Sequence, residues 1–184
     1  MARANEILAP DSGKGMLVAI DPTVDDYDFL VANALPGAEV VLLRKDQDAI
    51  AQITAALYDP FEQRKQPFDS IHLIAPGSPG ILHFASGDFS LRTLEPYVDK
   101  IQTWFAVDAS ATVSRTLDPQ LLLYGRRVGA GQSGTELIDT LSWLSGARVI
   151  ASKNGDRWPS TDDQQICLAF SQSVQQSYQG TFSI

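Results

Sequence analysis

The chain alternates short apolar runs with longer stretches in which apolar residues recur every third or fourth position. Five runs read as strands: 16–20 (Met-Leu-Val-Ala-Ile), 39–43, 70–75, 120–124 and 148–151. Short unbroken runs of this kind suit strands buried on both faces of a parallel sheet. The stretches between them carry helical spacing. Residues 24–35 follow Thr23, a capping residue, and stop at Pro36-Gly37. Ile50, Ile53 and Leu57 share one helical face. So do Leu94, Tyr97, Val98, Ile101 and Trp104. A further helix carries Leu137, Ile138, Leu141 and Leu144 and ends at Gly146. Residues 81–84 and 89–91, around Ser86-Gly87-Asp88, predict a small hairpin. Near the C-terminus Ile166, Phe170 and Val174 keep helical spacing, with Gly180 as a stop. Strand and helix alternation predicts an α/β fold of three layers, a mainly parallel sheet with helices on both faces. The C-terminal strand ends, where chemistry gathers in such sheets, fall at Asp21, Pro76, Gly125-Arg126 and Ser152.

A length of 184 residues fits one domain with a sizeable core. Lys and Arg total 14 against 22 Asp and Glu, a formal net charge of −8. That balance lacks the positive field that nucleic acids and anionic membranes require, so nucleic acid is set aside as a partner. Cys167 is the single cysteine, which rules out an intrachain disulfide. Residues 1–15 carry no apolar run of the secretory type and read as a flexible leader. No run approaches the roughly 18 apolar residues of a spanning helix. A cytoplasmic location is the expectation.

Several segments resemble one family. Residues 20–27 (Ile-Asp-Pro-Thr-Val-Asp-Asp-Tyr) are similar to its opening strand-to-helix signature. Residues 70–80 (Ser-Ile-His-Leu-Ile-Ala-Pro-Gly-Ser-Pro-Gly) are similar to its central strand and loop. Residues 122–131 resemble its second signature loop, and residues 145–152 its last strand. Asn154-Gly-Asp-Arg-Trp158 resembles a following Gly-Asp-Trp element. The family is the caspase-like domain of unknown function numbered 4347, found near the start of very large bacterial surface proteins, cyanobacterial ones included. The resemblance implies a caspase- or gingipain-like domain over residues 16–158, with residues 159–184 as an extension packed on it. In that clan a His and a Cys at neighbouring strand ends form a catalytic dyad. The family's usual loops read Ser-His-Gly-Ser and Tyr-Gly-Cys. Here the matching residues are Ala75-Pro76-Gly77-Ser78 and Tyr124-Gly125-Arg126. Proline offers neither a side-chain base nor a backbone N–H, and arginine is a permanent cation and no nucleophile. The resemblance therefore implies a domain that has lost peptidase chemistry, because thiol hydrolysis needs both partners.

The other candidates read more plainly. His72 lies within a strand, four residues before Pro76, and is expected to be structural. His83 is assigned to a surface or packing role, with no acidic or Cys neighbour in sequence. Cys167 stands far from both histidines, so no zinc set is formed and no metal or cofactor is expected. Asp25, Asp26 and Asp28 suit the start of the first helix through its dipole. Ser78 lies outside a Gly-x-Ser-x-Gly elbow. Gly129-Ala-Gly131 with Gly134 lacks the Lys-Ser/Thr ending of a phosphate loop. Trp104, Trp143 and Trp158 are assigned to packing.

Arg126-Arg127, beside a Gly-rich loop, is the pair suited to a carboxylate or phosphate, with Asp21 and Ser152 as neighbouring strand-end residues. The leading expectation is a non-catalytic domain that binds other proteins as a structural accessory subunit of a larger assembly. The alternative is an anion-binding or hydrolase domain using Arg126 and its neighbours. If the resemblance holds, Pro76 and Arg126 lie on adjacent strand ends, and the Arg126 guanidinium turns inward to a carboxylate or carbonyl and closes the cleft.

Overall fold

A computed structural model describes residues 15–58, 68–106, 118–153, 158–159 and 168–182. Cys167, Ile166 and residues 154–157 lie outside the described residues, as does all of the leader but Gly15.

Five parallel strands form the central sheet: β1 (Met16–Ile20), β2 (Glu39–Leu42), β3 (Ser70–Ile74), β7 (Gln120–Tyr124) and β8 (Arg148–Ala151). Their order is β2-β1-β3-β7-β8. A second, antiparallel sheet runs β4 (Gly77–Ser78), β5 (Ile81–Phe84), β6 (Gly87–Ser90). The helices are α1 (Tyr27–Ala32), α2 (Ala49–Leu57), α3 (Val98–Thr103), α4 (Gly131–Ser145) and α5 (Gln172–Ser177), with a 3-10 turn at Glu95–Tyr97.

Side chains alternate between the two sheet faces, as the pleat requires. Leu17, Ala19, Ile71, Leu73, Leu121 and Leu123 pack with the apolar stripes of α2, α3 and α4 and with Leu82, Phe84 and Phe89 of the small sheet. Val18, Ile20, Ile74, Leu122 and Tyr124 pack with Leu30 of α1 and with the C-terminal Phe170, Tyr178 and Phe182. Two cores on opposite faces of one sheet give the three layers. Burial on both faces explains why β1, β3 and β7 are apolar almost throughout.

Helix α1 is shorter than its pattern. Thr23 does not cap it; its N–H and hydroxyl both donate to Asp21 Oδ1. Asp26, in the left-handed region at φ 51°, is the residue from which the helix starts. The expected single helix over residues 94–104 is a 3-10 turn followed by α3. Gly146 ends α4 as expected. At the C-terminus the helix begins only at Gln172, so Phe170 precedes it, and it ends before Gly180. Strand β4 has no counterpart in the pattern. It exists because Ser78-Pro79-Gly80-Ile81 reverses the chain: proline presets the first turn position and Gly80 takes φ 75° at the second.

Candidate functional site

Strands β1, β3, β7 and β8 all point their C-terminal ends to one edge. Strands β3 and β7 are neighbours in register, Ile74 opposite Tyr124, and the pairing continues one step as the Ala75 N–H donates to the Tyr124 carbonyl (3.1 Å). Pro76 and Arg126 follow directly on these adjacent strands, so their loops leave the sheet side by side. A Cβ placed on Gly77 would lie 2.9 Å from Gly125 Cα, and one on Gly125 would meet Val128 and Leu82 at 2.7 and 2.8 Å. The two loops are packed backbone against backbone.

One main-chain atom spans both. The Phe182 carbonyl accepts from the Gly77 N–H (2.9 Å) and from the Arg126 N–H (3.0 Å). Phe182 is fully buried, within an aromatic cluster of Tyr124, Trp158, Phe170 and Tyr178 whose successive ring centroids lie 5.4–6.2 Å apart. Asp25 holds the same segment from outside. Its carboxylate accepts from the Thr181 hydroxyl (2.8 Å), and its carbonyl from the Tyr178 hydroxyl. Asp25 thus serves a tertiary contact; of the three acids near α1, only Asp28 falls in the first helical turn.

The strand-end candidates take these places in the fold. Asp21 is 1% exposed, and its second oxygen accepts from the Ala85 N–H (2.8 Å), tying β1 to the small sheet. Ser152 is fully buried. It donates to the Gly125 carbonyl (2.6 Å) and accepts from the Arg127 N–H (3.0 Å), bracing the loop after β7. Both side chains are buried and hydrogen-bonded within the fold. Arg126, expected to turn inward, is exposed, as is Arg127, and among the described residues neither guanidinium makes an ion pair. Pro76 is buried, with its carbonyl accepting from the His83 N–H (2.8 Å). The edge is closed by Phe182 and Val128, and the arginine side chain has no part in it.

His72 is structural, as the pattern indicated. It is fully buried, with Nδ1 against the Tyr124 hydroxyl (2.8 Å) and Nε2 against the Ser70 hydroxyl (3.0 Å). Burial pushes its pKa down to about 3, so the ring is neutral. Trp104 is buried and donates to Thr54, and Trp158 joins the aromatic cluster, but Trp143 departs from the expected packing role and is 80% exposed on α4.

His83 is the larger surprise. It has an acidic neighbour across the hairpin: Nδ1 lies 2.7 Å from Asp88 Oδ1, and Nε2 lies 2.8 Å from Ser78 Oγ. Strand pairing sets His83 opposite Asp88. The hairpin was expected with Asp88 in its turn; the second strand instead begins at Gly87, a tighter register that brings Asp88 into the ladder opposite His83. Ser78 comes from β4, which the pattern did not predict.

The sequence matches the family model described as Domain of unknown function (DUF4347) over residues 17–182. The chain belongs to this family. The match runs through the C-terminal segment that supplies Phe182. No curated protein and no solved structure gives a significant match. Among the described residues no helix is long and apolar enough to cross a membrane, and no group of His, Cys, Asp and Glu is arranged to hold a metal.

Proposed function

We propose that this member of the family is a caspase-like domain without peptidase chemistry at its strand-end edge, acting as a protein-binding or structural accessory subunit of a larger assembly. The observation that carries this reading is the Phe182 carbonyl seated on both the Gly77 and Arg126 N–H groups. Two backbone donors aimed at one oxygen are the kind of group that would polarise a substrate carbonyl. Here the chain's own backbone holds them. Pro76 and Arg126 at the same edge supply neither base nor thiolate, which agrees with their reading as the replaced dyad. Trp143, exposed on α4 with Glu136 and Asp139 on the same side of the helix, gives the domain an anchor of the type that dominates protein contacts.

Two measurements test the reading together. Purified chain should leave a panel of basic and acidic peptides uncleaved, and turnover abolished by Cys167→Ala would overturn it. Affinity capture from the native source, followed by mass spectrometry, should return a defined protein partner that Trp143→Ala loses. The exposed Arg126-Arg127 pair supports the second reading, a small-anion site at the loop after β7. Titration with inorganic phosphate, read by calorimetry and abolished by Arg126→Ala and Arg127→Ala, is its test.

A further inference from the structure

The small sheet carries on its outer face a constellation that the strand-end reading does not use. Along β5, Leu82 and Phe84 face the core, so Ile81 and His83 face outward. His83 lies between a serine and an aspartate, each on a different strand. Ser78 Oγ is 2.8 Å from Nε2 and Asp88 Oδ1 is 2.7 Å from Nδ1. The serine is half-buried, and the His83 side chain is 18% exposed against 55% for Asp88. Hydroxyl, imidazole and carboxylate in this order, with the two ring nitrogens divided between them, are the parts of a serine nucleophile, its general base and the carboxylate that fixes the base's tautomer.

The scaffold is rigid where such a set needs rigidity. Ser78 is fixed by its pairing with Ile81 and by the Pro79-Gly80 turn behind it. The Gly80 N–H donates to the Val128 carbonyl (2.9 Å), and the Ser133 hydroxyl to the Pro79 carbonyl (3.1 Å), so both turn residues are pinned to the neighbouring loop and to α4. The Thr93 hydroxyl donates to the Asp88 carbonyl (2.8 Å), holding β6.

We infer that Ser78, His83 and Asp88 form a solvent-facing hydrolytic site, separate from the strand-end edge, that takes small activated carboxylic esters. Ser78 Oγ attacks the ester carbonyl carbon as His83 Nε2 takes the hydroxyl proton. The bond to the leaving oxygen breaks, and His83 returns the proton to that oxygen. Water then attacks the Ser78 ester, again losing a proton to Nε2. The acid departs, and Ser78 recovers its hydrogen. The converging pair of backbone donors at the strand-end edge, Gly77 and Arg126, is committed to Phe182. The substrate must therefore bring its own activation in a good leaving group, and amides are excluded.

The test uses the full chain with p-nitrophenyl acetate and, separately, a fluorophosphonate probe. An acetyl or phosphonyl adduct located on Ser78 by peptide mass spectrometry is expected. Ser78→Ala should abolish the adduct, and His83→Gln should slow its formation by about a hundredfold. Asp88→Asn should slow it by about tenfold, a small part of the loss that a buried orienting carboxylate produces. Circular dichroism of each variant separates loss of chemistry from loss of fold. A native chain that takes no label on Ser78, or ester hydrolysis unchanged in a folded Ser78→Ala variant, overturns the proposal. Partner capture by Ser78→Ala should equal that of the native chain, so failure here and failure of the binding reading are distinguishable.

Discussion

A single buried imidazole makes this protein's stability depend on pH. His72 spans β3 between two hydroxyls, with Val18 and Leu122 as its register partners on the flanking strands. Its ordinary pKa of 6.5 falls to about 3 in the fold because burial disfavours the charged ring. Between those values the unfolded chain binds a proton that the native chain refuses. Stability therefore rises with pH across that window: the His72 contribution is complete above 6.5 and is lost as pH falls toward 3. The slope from this one group reaches about 1.4 kcal/mol per pH unit. Urea unfolding at pH 7.5 and pH 5 should show the difference, and His72→Leu should remove its share of the slope. At pH 7.5 that variant should lose about 1–3 kcal/mol, because it takes two hydrogen bonds from buried hydroxyls. Equal slopes in the two proteins would mean that the imidazole is charged or solvated in the fold.

Between elements, the decisive contact is the loop after β3 against the loop after β7. Any side chain on Gly77 or Gly125 enters space held by Val128, Leu82 and opposing backbone. Gly125→Ala should lower stability by about 1–3 kcal/mol, the usual effect of overpacking, and a thermal midpoint equal to the native one would show that the loops are slack. Trp143→Ala on α4 should behave oppositely, staying within about 0.5 kcal/mol of the native chain, since an exposed ring supports no core. How much of this was legible differs by element. The five parallel strands were, the central β1, β3 and β7 because burial on both faces keeps them mostly apolar, and the edge strand β2 through its short apolar run although it is only partly buried. The exposure of Trp143 was available too, since it lies off the stripe formed by Leu137, Leu141 and Leu144. The true extent of α1 was hidden, because the Asp21 carboxylate diverts Thr23 from capping. A two-residue strand such as β4 is too short for any periodicity to mark, so Ser78 could not be placed beside His83, and Asp88 was hidden as well because the pattern put it in the hairpin turn rather than in β6.

At the scale of the whole molecule, residue 182 closes an edge built by residues 77 and 126. Nothing in the pattern of apolar positions reports that contact, because the acceptor is a main-chain carbonyl delivered by tertiary packing. The Phe182 ring delivers it. Packed edge-on against Trp158 and tilted against Tyr178, each at a centroid distance of 5.4 Å, it fixes the backbone that carries the carbonyl. Asp25 clamps the adjoining Thr181, yet Asp25 and Thr181 are exposed while Phe182 is fully buried. The buried ring therefore contributes the larger share of the hold. Phe182→Ala should lower stability by about 3–5 kcal/mol, the range for emptying a buried aromatic site. It should also raise amide hydrogen exchange at Gly77 and Arg126 together, since both N–H groups share the one acceptor. Thr181→Ala should leave both amides protected, because the ring still seats the carbonyl. If Phe182→Ala lowers stability while the two amides keep their native exchange rates, the edge is closed by Val128 and the glycine packing alone. The C-terminal segment would then be a cover on the outer core, and the case for a self-occupied strand-end edge would fall with it.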